Sequence, residues 1–415
     1  MLTKSWWPLI FMQALKTTEK YIPYALPFLL FFFRGLADLT VLLLGLMFLF
    51  KSYKESNWYW LQETWMKCAL FFVLYLSIIN VAVSINPSDT FFYAITFIRW
   101  PIFAAAVCFW LFNSDDAIKK FLISLSILLA FIIFDVWFQY LSGADIFGYP
   151  TKGIRLTGPL RDNPVIGIFI TKYIYLGLIS IFIFKRLNHN YSKYLFALSL
   201  LVIGFVSVFI TGERMSLILY TSAIPIILLG FGKNIVKKIS LITVFLSLLV
   251  VLALIIGEIY PHTMERAFHS TVEKLSNFME SDYGLVYRTA YQTWLYAPWL
   301  GGGLHQLTDL YFLYGINLWE IKILHAHNHP LSLLAETGLV GLCLYFLIIF
   351  NIVKKIIFEV YSQKNWVKLS LLLGLIYLCF WPLMSHFSFQ HNWMNATNWF
   401  VVGVVLALSK RRHIR

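Results

Sequence analysis

Apolar stretches about 20 residues long recur along the whole chain, and they constrain its fold more than any other feature. A helix of about that length crosses the hydrocarbon core of a bilayer. Of the 415 residues, 60% are hydrophobic and 13% are charged, about half of the roughly 25% charged share of soluble domains. We therefore predict an all-α, polytopic integral membrane protein. Composition argues against a soluble enzyme, a disordered chain, a disulfide scaffold and a β-barrel, whose strands give a weaker apolar signal.

Hydropathy predicts about 12 transmembrane helices. Their predicted bounds are 21–35, 37–50, 68–85, 90–112, 118–141, 165–185, 194–211, 214–231, 238–257, 331–352, 367–385 and 391–408. The first two spans are short for a bilayer, so they form either a tight hairpin or one long bent helix.

Positively charged residues mark every second connection between the spans. Cytoplasmic loops are the ones that accumulate Lys and Arg, so this alternation orients the chain. Both termini are basic and are therefore predicted to be cytoplasmic, and the N-terminal segment lacks a cleavage site for a leader. The pattern accounts for most of the net charge of +13 without nucleic acid. The residues are Lys51, Lys54, Lys119, Lys120, Lys185, Arg186, Lys193, Lys233, Lys237, Lys238, Lys354, Lys355 and Lys364 in loops, with Lys4, Lys16, Lys20, Lys410, Arg411, Arg412 and Arg415 at the termini.

Two long connections lie on the opposite, outer side, at 142–164 and 258–330. The larger one contains helix-compatible stretches at about 262–280 and 286–297, followed by a break at Pro298 and Gly301. No internal repeat or soluble domain is visible. We therefore predict one transmembrane domain over 1–415 with two outer loops, of which 258–330 carries part of any site.

Eleven basic residues do not fit the charge rule, since most lie on the outer side or in the outer half of a span. The rule disfavours cations there, and an anionic substrate is one thing that could hold them. They are Arg34, Arg99, Lys152, Arg155, Arg161, Lys172, Arg214, Arg266, Lys274, Arg288 and Lys322.

Arg214 is the sharpest of these cases because it opens a span that begins on the outer side. The free backbone N–H groups of the helix start and its dipole add to the guanidinium charge, which suits a phosphate. The alternative is an interfacial arginine that pairs with Glu213.

Several other ionisable residues allow two interpretations each. Arg155 and Arg161 lie in a stiff Pro- and Gly-containing loop that either lines an anion site or is merely solvated. Arg99, Asp135 and Lys172 fall at a similar depth, roughly 10–13 Å below the outer surface, and form either a buried pair or the floor of a polar cavity. Arg288 points either into a pocket or to solvent.

Three histidines, His325, His327 and His329, precede an apolar span in His325-Ala326-His327-Asn328-His329-Pro330. Their spacing raises the possibility of a metal site. No carboxylate or cysteine completes it convincingly, so we expect no metal. One histidine acting as a general base or acid fits better, because imidazole titrates near neutral pH.

His327-Asn328 is followed by nine residues and then by Gly338-Leu339-Val340-Gly341. This spacing resembles the H-[NSQ]-x9-G-x-x-G motif of bacterial O-antigen ligases, a family that also includes O-antigen polymerases and pilin oligosaccharyltransferases. Leu342, where the family usually has Thr or Val, is a conservative departure.

Three further features agree with that family. They are the outward Arg214, a second arginine in the large loop, Arg288, and the sequence Trp294-x3-Pro298-x2-Gly301. The resemblance covers the whole chain by topology, and its specific motifs lie between about 155 and 341.

The resemblance implies a glycosyltransferase of lipopolysaccharide biosynthesis, in the bacterial inner membrane with a periplasmic active site. It would move O-antigen glycan from undecaprenyl diphosphate to lipid A–core oligosaccharide, without a metal or other cofactor. The implied catalytic residues are His327, Arg214 and Arg288, and the implied substrate-binding residues are Arg155, Arg161, Arg266, Asn328 and His325. Arg266 and Lys274 lack motif support, so alanine variants there are expected to retain most activity, more so for Lys274.

Two other functions remain open. An O-antigen polymerase would use the same donor with a different acceptor. A flippase or other transporter would also place cations in its spans, but such proteins often have related halves and functional groups through the full membrane depth.

Overall fold

The computed structural model describes residues 7–183, 190–232, 234–259, 261–314, 316, 326–383 and 391–411. These residues form seventeen α-helices and no β-strand. The helices are α1 (Trp7–Phe32), α2 (Arg34–Lys54), α3 (Thr64–Leu74), α4 (Pro87–Thr96), α5 (Arg99–Ala106), α6 (Asp115–Ser142), α7 (Ile166–Ile183), α8 (Asn190–Ile210), α9 (Arg214–Leu228), α10 (Ile235–Ile259), α11 (Pro261–Met264), α12 (Ser270–Ser276), α13 (Asp282–Tyr296), α14 (Leu307–Leu313), α15 (His329–Tyr361), α16 (Trp366–Phe380) and α17 (Asn392–Ser409).

The helices have the length and composition of a membrane protein, as predicted. Six helical stretches in the described residues are long and apolar enough to cross a bilayer, and one of them joins α4 and α5: Arg34–Lys54, Pro87–Leu111, Asp115–Ser142, Ser192–Ile210, Ile235–Ile259 and His329–Tyr361. Four shorter apolar helices are Thr64–Asn80, Ile166–Phe182, Arg214–Leu228 and Trp366–Phe380. The figure of about 12 spans stays a prediction.

The first two helices form the tight hairpin, not the single bent helix. The chain leaves helical geometry at Phe33, with φ −134° and ψ 117°. Lys51 Nζ then lies 3.6 Å from Glu19 Oε1, which requires α1 and α2 to run antiparallel. The hairpin packs on α6 and α5.

The core of the described bundle is built around α17. Nearly every residue of α17 is buried, from Trp393 to Ser409, because α2, α5 and α16 pack around it. The helix α7 is almost as deeply buried, between α6, α8 and α16. Polar residues on these two helices therefore lie far from lipid.

The large loop carries four short helices, α11 to α14. The predicted stretch 262–280 is helical in pieces, since a π-helical turn at Glu265–His269 joins α11 to α12. The stretch 286–297 corresponds to the longer α13, which begins at Asp282, ends at Tyr296 and packs on α15. In the shorter loop 142–164 the described backbone forms only isolated bridges and a short 3-10 turn.

Candidate active site

The centre of the site is the turn between α8 and α9, at residues 211–213. Gly212 has a φ of +68°, and an added Cβ would lie 3.1 Å from the Ile154 carbonyl oxygen. The loop 142–164 is tied to the same turn by a hydrogen bond of 3.1 Å from Leu156 N–H to the Thr211 carbonyl. The turn thus needs glycine, and it fixes where α9 begins.

Glu213 is buried, and its carboxylate joins the starts of two helices. It accepts hydrogen bonds of 2.7 Å from Gly167 N–H, in the first turn of α7, and of 2.7 Å from the Ser216 hydroxyl in α9. Burial raises the pKa of Glu213 to about 7, although these hydrogen bonds and the nearby Arg155 act in the opposite direction. The alternative interpretation of Arg214, an ion pair with Glu213, is not seen, because the carboxylate faces α7 instead.

Arg214 is the first residue of α9 and is held from one side by the large loop. Its Nε donates to the Arg266 carbonyl at 3.0 Å, and its terminal nitrogen donates to the Ser270 hydroxyl. Arg266 in turn donates from Nε to the Gly212 carbonyl at 2.9 Å. Burial and the charges of Arg214 and Arg155 lower the pKa of Arg266. Three like charges therefore face one another, which favours an anion between them.

Arg155 approaches the turn from the shorter loop. Its terminal nitrogen donates to the Pro164 carbonyl, while its buried Nε has no hydrogen-bond partner among the described residues. A buried donor of this kind costs free energy until something accepts from it.

These residues surround one cavity of about 360 Å³. Its wall carries five cations and one carboxylate, counted over the described residues. Five of the eleven cations that break the charge rule thus meet in one place. The lining residues are Arg155, Ile168, Lys172, Gly212, Glu213, Arg214, Met215, Ser216, Arg266, Lys274, Tyr283, His327, Met394 and Asn398.

Lys172 forms part of this cavity and does not share a network with Arg99 or Asp135. Its Nζ donates to Asn398 Oδ1 on α17. Arg99 instead pairs with Asp38 at 3.2 Å, and Asp135 accepts from Ile146 N–H at 2.9 Å. Of the two interpretations offered for these residues, the cavity floor therefore applies to Lys172.

His327 lies in a turn that presents its ring to the cavity. The residue has a φ of +50°, and its ring stands edge-on to Tyr283 at a centroid distance of 5.6 Å. Asn328 follows as the N-cap of α15, with its Oδ1 accepting from Leu331 N–H at 3.2 Å. The Asn328 side chain also bonds to Tyr287, which lowers the Tyr287 pKa, although burial raises it overall.

The three histidines do not share one environment. His329 is 4% exposed and packs edge-on to Tyr345 at 5.2 Å, away from the cavity wall that His327 lines. His325 lies outside the described residues. Asn328 is occupied as a helix cap and is not part of the cavity wall.

Gly338, the first glycine of the motif, breaks α15. It has φ +67° and ψ −175°, a non-helical conformation inside the helix. The N–H groups freed by this break donate to the loop before it, Leu339 to the Pro298 carbonyl at 2.9 Å and Val340 to the Trp299 carbonyl at 3.1 Å. We call this junction of residues 298–301 with 336–340 the splice.

The Trp294-x3-Pro298-x2-Gly301 sequence meets the histidine–glycine motif at the splice. Trp294 Nε1 donates to the Pro298 carbonyl at 2.9 Å. Gly301 has a φ of +70°, and an added Cβ would lie 2.3 Å from the Glu336 carbonyl oxygen. The Trp-x3-Pro-x2-Gly and H-N-x9-G-x-x-G patterns are therefore two halves of one structural joint.

Besides Asn328, two predicted site residues lie outside the cavity wall. Arg288 is exposed and donates to the Met279 carbonyl at 3.0 Å. Arg161, with a φ of +56°, lies 5.5 Å from the Tyr149 ring centroid and lines a separate cavity that also contains Arg34.

The segment 261–276, here named the partition segment, separates the cavity from a second space. Arg266 and Lys274 line the cavity, and Ser270 between them bonds to Arg214. The other face contributes Met264, Phe268, Thr271, Val272 and Leu275 to an apolar groove of about 580 Å³ against α8, α9 and α10. A charged cavity and an apolar groove therefore share one wall.

Comparison with known protein families gives one match. Residues 198–346 match the family model described as O-antigen ligase. Over this range the chain is similar to O-antigen ligases. A comparison with curated proteins gives no match. The resemblance of the motifs to this family is thereby confirmed, and the family covers both ligases and polymerases.

The residues that match the O-antigen ligase family supply only part of the cavity. Arg214, Arg266, Lys274, Tyr283 and His327 lie within the matched residues. Arg155, Lys172 and Asn398 come from flanking helices and loops, so the site depends on the whole bundle.

From the sequence, no site role was assigned to Ser270, Lys274, Tyr283 or Asn398. The i, i+4, i+8 spacing of Arg266, Ser270 and Lys274 was a usable signal for a shared helix face, and it argues against the expectation that Arg266 and Lys274 tolerate alanine. The only sequence signal for Asn398 is that it is a polar residue in a span. Nothing in the local sequence selects Tyr283.

Proposed function

We propose that this protein is an O-antigen ligase, which transfers O-antigen glycan from undecaprenyl diphosphate to lipid A–core oligosaccharide. The observation that carries the proposal is the cavity wall of five cations with one carboxylate. Guanidinium groups suit phosphate, because their planar donors match phosphate oxygens in pairs.

The partition segment supports a lipid-linked donor. An amphiphile with an anionic head and a long apolar tail needs a charged site and an apolar surface side by side. The cavity and the apolar groove meet that need across a single segment. We assign the diphosphate to the cavity and the adjoining part of the lipid tail to the groove.

The transfer step then divides between two groups of residues. An acceptor hydroxyl oxygen attacks the anomeric carbon, and the bond from that carbon to the diphosphate oxygen breaks with its electron pair leaving on the diphosphate. Arg214, Arg266 and Arg155 stabilise the charge that develops there, the role a divalent metal has in other glycosyltransferases. His327 takes the proton of the hydroxyl.

Arg288 is included in the proposal only because it agrees with the family as its second arginine, in the large loop. Its neighbour Tyr287 bonds to Asn328, which places this stretch of α13 beside the His327 turn. We assign Arg288 to glycan recognition outside the cavity wall.

The test is transfer by the purified protein in detergent or nanodiscs. Lipid-linked O-antigen and lipid A–core oligosaccharide are supplied together and separately, in buffer with EDTA. We expect ligated lipopolysaccharide only when both are present. Lengthening of the lipid-linked glycan without acceptor would instead identify a polymerase, and no product under any condition would contradict both.

The proposed orientation is tested by alkaline phosphatase fusions in cells. We place the protein in the inner membrane with both termini cytoplasmic and 258–330 periplasmic. A fusion after about residue 300 is expected to be active and one at 410 inactive. The reverse pattern would put the cavity on the wrong side for this reaction.

A further inference from the structure

The floor of the cavity is formed by two helices that carry none of its arginines. Lys172 of α7 is 1% exposed and Asn398 of α17 is 0% exposed, and both line the cavity. Lys172 Nζ donates to Asn398 Oδ1. The amide Nδ2 of Asn398 is buried without a hydrogen-bond partner among the described residues. The floor therefore offers an unused amide donor next to an ammonium group.

Lys172 has no carboxylate at ion-pair distance among the described residues, and the one carboxylate of the cavity wall, Glu213, bonds to Gly167 and Ser216 instead. Within the described ranges no ion pair reaches Lys172, whereas Arg99, also in a span, has Asp38 at 3.2 Å and Asn392 at 2.8 Å. A buried cation without a carboxylate is costly in a membrane protein unless another anion meets it. The cavity is the direction from which such an anion can come.

The geometry of the two helices directs both side chains toward the cavity. Lys172 and Asn398 each lie six residues after the start of their helix, about 9 Å along the axis. Helical side chains lean toward the N-terminus of their helix. Both starts are at the end of the bundle where Arg214 begins α9, so both side chains lean toward the arginines from below.

We propose that Lys172 Nζ and Asn398 Nδ2 form a second phosphate subsite, separate from the arginine group, which makes the cavity select lipid diphosphates over lipid monophosphates. The inference rests on the proposed function, since it assumes a lipid-linked donor in this cavity. One phosphate lies among Arg155, Arg214 and Arg266, and the other accepts from the floor. A monophosphate fills only one of the two subsites.

The experiment compares binding of undecaprenyl diphosphate and undecaprenyl monophosphate to the full-length protein in detergent. The wild-type protein is expected to bind the diphosphate about 10- to 100-fold more tightly, the effect of one hydrogen bond to a charged group. Lys172→Met is expected to remove this preference by weakening diphosphate binding alone. Arg214→Met is expected to weaken both ligands.

Asn398→Asp is the second variant. It keeps the side-chain volume, removes the Nδ2 donor and places a carboxylate against Lys172, so it is expected to abolish the preference as well. It keeps the proposal testable if Lys172→Met fails to fold. Lys368→Met is the matched control, because Lys368 is a buried lysine bonded to the Ser409 carbonyl at the other end of the bundle, and it is expected to keep the preference.

The possible failures are distinguishable. Wild-type protein that binds neither lipid phosphate would overturn the proposed function together with the subsite. Wild-type preference that persists in either Lys172→Met or Asn398→Asp would overturn the subsite alone. Loss of binding to both ligands in Asn398→Asp, with an unchanged melting temperature, would also overturn it, since the floor would then not discriminate.

Discussion

Replacing Gly338 with alanine tests whether the splice supports the active site. Gly338 has φ +67° and ψ −175°, a region that is essentially restricted to glycine and costs about 1–3 kcal/mol for other residues. An alanine Cβ would lie 2.3 Å from both the carbonyl carbon and the oxygen of Trp299. These are backbone atoms, so the splice has to open for the side chain to fit.

Opening the splice removes the hydrogen bonds from Leu339 and Val340 N–H, at about 0.5–1.5 kcal/mol each. With the backbone strain, we expect Gly338→Ala to destabilise the protein by about 2–6 kcal/mol. His327 precedes the same helix, so transfer activity should fall as well. Thermal unfolding in detergent and the transfer assay measure the two effects.

Two other glycines separate the causes. Gly143 has a φ of +84° but nothing within 4 Å of an added Cβ, so alanine there carries strain without a clash. Gly35 is helical and equally open, so Gly35→Ala should be neutral or slightly stabilising. The expected order of destabilisation is Gly338, Gly143, Gly35. A Gly338→Ala protein as stable and active as Gly35→Ala would refute the role of the splice.

Three further predictions concern the cavity. Arg266→Ala should lower the transfer rate about 10²-fold with little loss of stability, since it removes one preorganised cation; full activity in the transfer assay would contradict this. His327→Ala should lower transfer by about 10²–10⁴-fold, whereas His329→Ala should lower the melting temperature more than the rate, because His329 packs on Tyr345; the opposite division would exchange their roles. Glu213 has a pKa raised from 4.5 to about 7, so the native state retains a proton that the unfolded chain loses, and stability should fall by roughly 3 kcal/mol as pH rises through this range. Melting curves of Glu213→Gln should show a shallower pH dependence, and an unchanged slope would assign the titration elsewhere.

Residues whose positions follow from charge and hydropathy could be predicted from the sequence. The cations that break the charge rule led to five residues of the cavity wall, because a membrane protein seldom places charge there without a reason. Motif spacing selected His327 from its neighbours, and the structure does turn His327, rather than His329, toward the cavity.

The remaining features depend on contacts between distant segments. The break at Gly338 lies inside an apolar stretch that reads as one continuous helix, and it becomes necessary only where residues 298–301 pack against it. From the sequence, the one partner considered for Glu213 was Arg214, its neighbour, as the alternative to a phosphate site. The N–H groups at the start of α7 compete for the same carboxylate, and only the packing of α7 against α9 reveals them.

The partition segment makes the cavity sensitive to insertions and deletions of single residues within that segment. Its two faces are set by rotation along a helix, in which one residue corresponds to about 100°. A single-residue deletion in the π-helical turn Glu265–His269 would turn Ser270 and Lys274 away from Arg214 and bring apolar side chains into the cavity. Substitutions that preserve polarity leave the two faces in place, whereas a change of one residue in length rotates both faces by about 100° relative to the cavity. In the partition segment, insertions and deletions of one residue are therefore expected to be more damaging than substitutions that preserve polarity.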